Sequence, residues 1–183
     1  MHNLLQDFRC RTLTLWFCLI TLFAPSCSGQ EQQKSQTAEQ DKTVQVPPAN
    51  EREKFDPQRE AAKDIDKAIV TAKKSGRNII LDVGGEWCSW CIAMDKFFLQ
   101  NKPLMDYREQ NFVWVKVNFS EENENKEVLS RYPPISGYPH IFVLDTAGKL
   151  LYSLDTGTLE AGKSYDPEKV MTFLQQYAPA RKP

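Results

Sequence analysis

The run NIILDVGG, from Asn78 to Gly85, is continuous apolar sequence closed by glycine and interrupted once, by Asp82. A run of this kind reads as a strand buried on both faces, at the centre of a sheet that helices cover from both sides. The flanking sequence supplies those helices. Ahead of it, Ala61, Ile65, Ala68, Ile69 and Ala72 recur at helical spacing, with Asp56-Pro57 as the expected start and Ser75-Gly76 as the stop. Behind it, IAMDKFFLQ reads as a helix and PLMDYREQ as a further helical piece past Pro103. FVWVKVNF is a second β-rich run, and NKEVLSRY a short helix halted by Pro133-Pro134. HIFVLD and KLLYSLD, parted by Thr146-Ala147-Gly148, form a hairpin candidate, and Asp166-Pro167 opens a last helix through Tyr177. The expected order is α, β, α, β, α, β, β, α, an α/β fold with a mixed central sheet flanked by helices on both faces.

The first part of the chain has a different character. Arg9 and Arg11 precede the apolar run Leu13 to Phe23, and the small-residue stretch APSCSG follows. A basic start, a short apolar segment and small residues at the exit read as a secretory signal, expected over residues 1–26. The run ends at Pro25, short of the roughly 20 apolar residues that span a bilayer. Cys27 stands where a bacterial lipoprotein signal places its lipidated cysteine; plain cleavage nearby is the alternative. Residues 27–57 are expected to be a flexible linker, being dominated up to Asn50 by Gln, Ser, Thr and charge. The folded domain is then 58–183. The formal net charge of −1 gives no electrostatic case for nucleic acid, and a membrane enters only through a lipid anchor.

Cysteine usage narrows the chemistry. Of five cysteines, Cys10 and Cys18 lie within the expected signal, which leaves Cys88 and Cys91 as the pair inside the domain. A disulfide framework is therefore not available to hold the fold. The pair itself, in GGEWCSWC, fits a redox centre, half of a metal site or a structural staple. A staple closing so short a loop constrains the unfolded chain little. A metal site needs further ligands, and the usual second cysteine pair is absent from the domain; His140 is the remaining soft ligand there. Cys88 is expected at the amino end of the helix running into IAMDKFF, where unpaired N–H groups and the helix dipole stabilise a thiolate. Cys91 follows one turn inside.

With Trp-Cys-x-x-Cys after a buried strand and at the opening of a helix, residues 58 to 178 resemble a thioredoxin-fold domain. The segment closely resembles the divergent thioredoxin-like group that includes exported bacterial thiol-disulfide oxidoreductases and small thioredoxin-domain proteins of the secretory pathway. The resemblance implies Cys88 as nucleophile and Cys91 as resolving thiol, with no cofactor. It also implies that Asp82, a carboxylate set in an apolar strand, exchanges a proton with the second cysteine. Lys116 falls where the family often has a lysine near that aspartate, and Pro139 in SGYPH resembles the family's cis-proline. That proline leaves the backbone of Tyr138 available to pair with an extended substrate segment. Trp87 and Trp90 are candidates for an apolar rim around the pair. Ser89-Trp90 stands where thioredoxins often carry Gly-Pro, which bears on thiol acidity and redox poise. The expected activity is exchange of disulfides with protein partners in the periplasm or cell envelope, with a redox partner protein. A metal-handling protein using Cys88, Cys91 and His140, or a non-catalytic binding module on the same fold, is the alternative.

Overall fold

The computed structural model describes residues 51–180; the expected signal, Cys27 and the linker as far as residue 50 lie outside the described residues. Among those described, no helix is long and apolar enough to cross a membrane.

The apolar run forms β1 (Asn78–Gly84), buried at every position. It is preceded by α1 (Ala61–Ser75), which ends at Gly76 in the left-handed conformation, φ 72°. After β1 come α2 (Ser89–Gln100), α3 (Lys102–Asn111) and β2 (Phe112–Asn118). A single helical turn, α4 (Lys126–Leu129), leads to β3 (His140–Leu144) and β4 (Leu150–Asp155). The chain closes with α5 (Pro167–Tyr177). The sheet order is β2-β1-β3-β4. β1 runs parallel to β2 and antiparallel to β3, and β3 pairs antiparallel with β4. This is the mixed sheet that the alternation of elements predicted.

Strand alternation sorts the core into two layers. Ile80, Ile141 and Val143 meet Met94 and Phe98 of α2, Leu104 of α3 and Phe173 of α5. Ile79, Leu81, Val83, Phe142 and Leu144 face the other way, onto Ala61, Ile65, Ala68 and Ala72 of α1 and Val128 of α4. Full burial of side chains such as Phe142 or Leu81 contributes about 2 kcal/mol each, and these two layers hold the fold.

Three local departures from the sequence expectation have physical causes. Asp56-Pro57 does not start α1. Asp56 Oδ1 accepts the Gln58 N–H at 2.8 Å and its carbonyl accepts the Arg59 N–H at 3.2 Å, so the segment closes as a turn and the helix begins at Ala61. Residues 52–55, inside the expected linker, pack on the domain: Phe55 is 2% exposed and Arg52 is ion-paired. Finally, a 3-10 turn (Thr156–Leu159) and a small ribbon, β5 (Glu160–Ala161) and β6 (Ser164–Tyr165), stand between β4 and α5. Their polar sequence carries no alternation that announces a strand.

At α5 the expected cap is present. Asp166 accepts the N–H groups of Glu168 and Lys169, at 2.9 and 3.2 Å, with Pro167 at the first position. Asp166→Ala is expected to lower stability by about 1 kcal/mol in urea unfolding, the usual worth of such a cap.

Candidate active site

β1 delivers the chain to the top of the sheet at Gly84, and α2 starts five residues later. Cys88 occupies the N-cap position of α2, in extended backbone, and its Sγ accepts the Cys91 N–H at 3.1 Å. Cys88 and Cys91 are disulfide-bonded with their Cα atoms 5.2 Å apart. Cys88 is 5% exposed and Cys91 1%, so the first cysteine is the less buried of the two. The Cys91 N–H is one of the orphan donors of a helix start, and it points at the sulfur that would carry charge in the reduced state. Gly84 is needed for this packing, since a Cβ there would collide with Cys91 Sγ.

Beneath the sulfurs lies a buried ionic group. Asp82 and Lys116 are register partners on β1 and β2, and Lys116 Nζ donates to Asp82 Oδ2 at 3.0 Å. The same ammonium donates to Asp95 Oδ1, on α2, at 2.7 Å. Trp114 Nε1 also donates to Asp82 Oδ2, at 3.2 Å. Asp82 Oδ1 is buried and has no hydrogen-bond partner among the described residues. Burial pushes the Asp95 carboxyl above the usual aspartate range; the neighbouring Asp82 charge adds to this, and Lys116 opposes it. For Lys116, burial disfavours the charged form, but the two carboxylates more than offset it and hold the ammonium above the ordinary lysine value.

Around the pair the aromatic residues divide. Trp87 is 58% exposed; its Nε1 donates to the Phe119 carbonyl at 2.7 Å and its ring meets Tyr138 edge-on at 5.5 Å. Tyr138 stacks on Phe119 at 4.9 Å. These three rings form one patch. Trp90 touches the sulfur cluster but turns its ring to Tyr165, 5.5 Å away, whose hydroxyl donates to the Trp90 carbonyl at 3.2 Å. Ser89 is exposed in the first turn of α2. The Tyr138–Pro139 peptide bond is cis, Pro139 is buried, and its carbonyl accepts the Thr156 hydroxyl at 2.6 Å.

His140 is not brought to the sulfurs. It shares a sheet face with Phe142, whose ring is 4.7 Å away, and its Nε2 lies 2.8 Å from the Ser153 hydroxyl. That face looks toward α1, opposite Asp82 and α2, because β3 places its residues alternately on the two sides. Among the described residues no group of three or more His, Cys, Asp or Glu side chains is arranged to hold a metal ion.

The candidate residues Asp82, Cys88, Cys91 and Lys116 are therefore close together, with Trp87, Tyr138 and Pro139 at the mouth. Asp95 was not singled out from the sequence, although the signal was there: it lies four residues after Cys91 on the apolar side of α2, with Met94 and Phe98. Phe55 and Arg52 were hidden by the polar composition of their neighbours.

Fold and site define a class, proteins with a Cys-x-x-Cys pair at a helix start beside a mixed four-stranded sheet. A family model described as thioredoxin-like matches residues 60–146 of the chain. Two curated relatives are a disulfide bond reductase, DsbH, of Chlamydia pneumoniae and a thiol:disulfide interchange protein, DsbD, of Pseudoalteromonas atlantica. The first is 28% identical over 93 residues, 46% of this chain and 55% of that protein. The second is 24% identical over 99 residues, 54% of this chain and 17% of that protein. The match thus spans little more than half of one relative and a small part of the other. Among solved structures, the disulphide isomerase of Xylella fastidiosa Temecula1 superposes with a TM-score of 0.59 at 24% identity, covering 73% of this chain and 98% of that one. That likeness establishes the fold.

The ionic group allows a test of its own. With its pKa raised by folding, Lys116 contributes stability that is fully present below the ordinary lysine value and lost as pH rises through the higher folded value. Lys116→Met, which leaves buried Asp82 without a cation and Asp95 with Arg52 alone, is expected to cost about 3 kcal/mol at neutral pH. Urea unfolding should show the deficit across the neutral range and its disappearance only at strongly alkaline pH.

Proposed function

We propose that the protein is an exported thiol-disulfide oxidoreductase that exchanges disulfides with protein partners through Cys88 and Cys91. The observation that carries this reading is the bonded pair at the start of α2, with the Cys91 N–H on Cys88 Sγ and a buried carboxylate group behind it. The names of the curated relatives support it, as does a fold shared with a disulphide isomerase. Export rests on the basic and apolar pattern at Arg9, Arg11 and Leu13 to Phe23, and an envelope anchor on lipidation of Cys27.

In the reduced protein, the Cys88 thiolate attacks one sulfur of a partner disulfide. A Cys88–partner bond forms, the partner disulfide breaks, and the other partner sulfur leaves as a thiolate that takes up a proton. Cys91 then gives its proton to the Asp82 carboxylate and attacks Cys88 Sγ. The Cys88–Cys91 bond forms, the mixed disulfide breaks, and the second partner thiol departs. Two electrons have passed from the pair to the partner, and the same steps in reverse oxidise a partner dithiol. Which direction operates depends on the potential of the pair, which Ser89 and Trp90 help to set.

The patch of Trp87, Tyr138 and Phe119 offers apolar contact to a partner segment beside Cys88, and the Tyr138 backbone offers strand-like pairing. Lys116 holds the Asp82 carboxylate in place through its hydrogen bond to Oδ2. The metal-handling reading is not favoured, since His140 faces away from both sulfurs.

Removal of the resolving thiol tests the sequence of steps. Cys91→Ala should accumulate partner proteins on Cys88 as adducts released by dithiothreitol, while Cys88→Ala should accumulate none. Purified wild-type protein should turn over a disulfide-bonded protein substrate, and both variants should lose at least 100-fold in that rate. An abundant Cys91→Ala protein with no thiol-released adduct would contradict the reading.

A further inference from the structure

The short segment ahead of α1 crosses the buried side of the active site and is fixed there at several points. Arg52 donates from Nη1 to Glu86 Oε1 at 2.8 Å and to Asp95 Oδ2 at 3.2 Å, and its Nη2 bonds Glu86 Oε2. The Phe55 N–H donates to Glu86 Oε1 at 2.9 Å. Beyond it, the Pro57 carbonyl accepts the Asn123 amide at 2.9 Å. Held in this way, the Phe55 ring packs on Cys88 and Cys91 and lies 3.9 Å from Lys116 Nζ. A cation over an aromatic face in a desolvated site is a favourable contact. Lys116 is 5% exposed beneath this ring, and the ring fills the space beside Gly84 and Cys91.

The consequence lies in how the two carboxylates are used. Asp95 has both oxygens engaged, Oδ1 by Lys116 and Oδ2 by Arg52. Asp82 has one oxygen engaged by Lys116 and Trp114, and the other unpartnered among the described residues. Resting on the thiol-exchange reading above, we propose that Arg52 and Phe55 are positioning residues for the resolving step: Arg52 pins Asp95, Phe55 keeps water off Lys116 and Cys91, and Asp82 is thereby left as the carboxylate that exchanges the Cys91 proton. Nothing in this assigns a chemical step to the segment itself. It acts through the ionisation of the pair beneath it.

The groups facing Asp95 are Arg52 from the segment, Lys116 from β2, Asp82 from β1 and, at longer range, Tyr165 from β6; Glu86 reaches it through Arg52. Arg52 is one of the contacts that oppose the upward push of burial on Asp95. Without it Asp95 holds its proton to a higher pH, so the arrangement of Lys116 between two ionised carboxylates forms only at higher pH. The resolving step should slow, and its pH midpoint should move upward.

Reduced full-length protein mixed with 5,5′-dithiobis(2-nitrobenzoate) reads the two steps separately. Cys88 attack on the reagent releases one thionitrobenzoate; Cys91 attack on the resulting mixed disulfide releases the second and closes Cys88–Cys91. For Arg52→Gln the ratio of second to first rate is expected to fall about tenfold at neutral pH, with the midpoint of the second rate raised, since one unit in a carboxylate's acidity is a tenfold change in its ionisation. Phe55→Ala should lower the same ratio, and Arg52→Lys should restore it. Urea unfolding of each variant confirms that the domain is folded under the assay conditions, and Arg52→Gln, at a half-buried position outside the apolar core, supplies the decisive comparison if Phe55→Ala does not fold. Variants with the wild-type ratio and pH midpoint would overturn the role of the segment while leaving the exchange reading intact. A fall in both rates together, with no change of midpoint, would overturn it as well, as that is what loosened packing alone produces. No second release from the wild-type protein would overturn both this proposal and the exchange reading.

Discussion

The Lys116 ammonium, held between the carboxylates of Asp82 and Asp95, ties the parts of this domain that chemistry requires to be in register. Asp82 comes from the central strand, Lys116 from its parallel neighbour, Asp95 from the helix that carries the cysteines. Through Asp95 the contact reaches Arg52, and through the face of its ring it reaches Phe55. Such a cluster is not an efficient way to stabilise a fold, since well-packed apolar side chains of the same volume do as well. Its place behind Phe55, which packs on both cysteines, with one carboxylate oxygen left without a partner among the described residues, suits a proton-exchanging group.

The sheet explains why the sulfurs sit above it. A strand buried on both faces can end only where the chain turns outward, and Gly84-Gly85 allow that turn close against Cys91 and Trp87. The turn places Cys88 at the N-cap of α2, so that the sulfur meets the unpaired donors of a helix start. Packing fixes the helix itself, through Met94, Phe97 and Phe98 against β1 and β3. The placement of Cys88 is thus a product of the same core that holds the domain.

Much of this was legible in the sequence because it depends on period and punctuation. The run at Asn78, the alternating helices and the cap at Asp166 each follow from local patterns, and the structure reproduces them. The conjunction of Asp82, Cys88 and Cys91 was readable for the same reason: a carboxylate in an apolar strand, then two thiols at a helix start. What could not be read was anything decided by approach across the fold. His140 follows the proline in sequence, yet strand alternation turns it to the opposite face. Trp90 neighbours Cys91 yet rotates onto Tyr165. Phe55 sits among charged residues that read as linker, and only the apolar surface of the cysteine pair gives it a place to bury. The turn at Asp56 misplaced the start of α1 because an aspartate side chain satisfies a turn as well as it caps a helix.

The central proposal is that in the reduced protein Cys88 attacks as the thiolate and Cys91 resolves. The most direct measurement is the rate of iodoacetamide alkylation of each cysteine in the reduced protein as a function of pH, resolved by peptide mass spectrometry. The account predicts that Cys88 reacts first, with a midpoint well below the value of about 8.5 of an ordinary cysteine, and that Cys91 reacts slowly with a higher midpoint. Equal reaction of both thiols at the ordinary midpoint would contradict it.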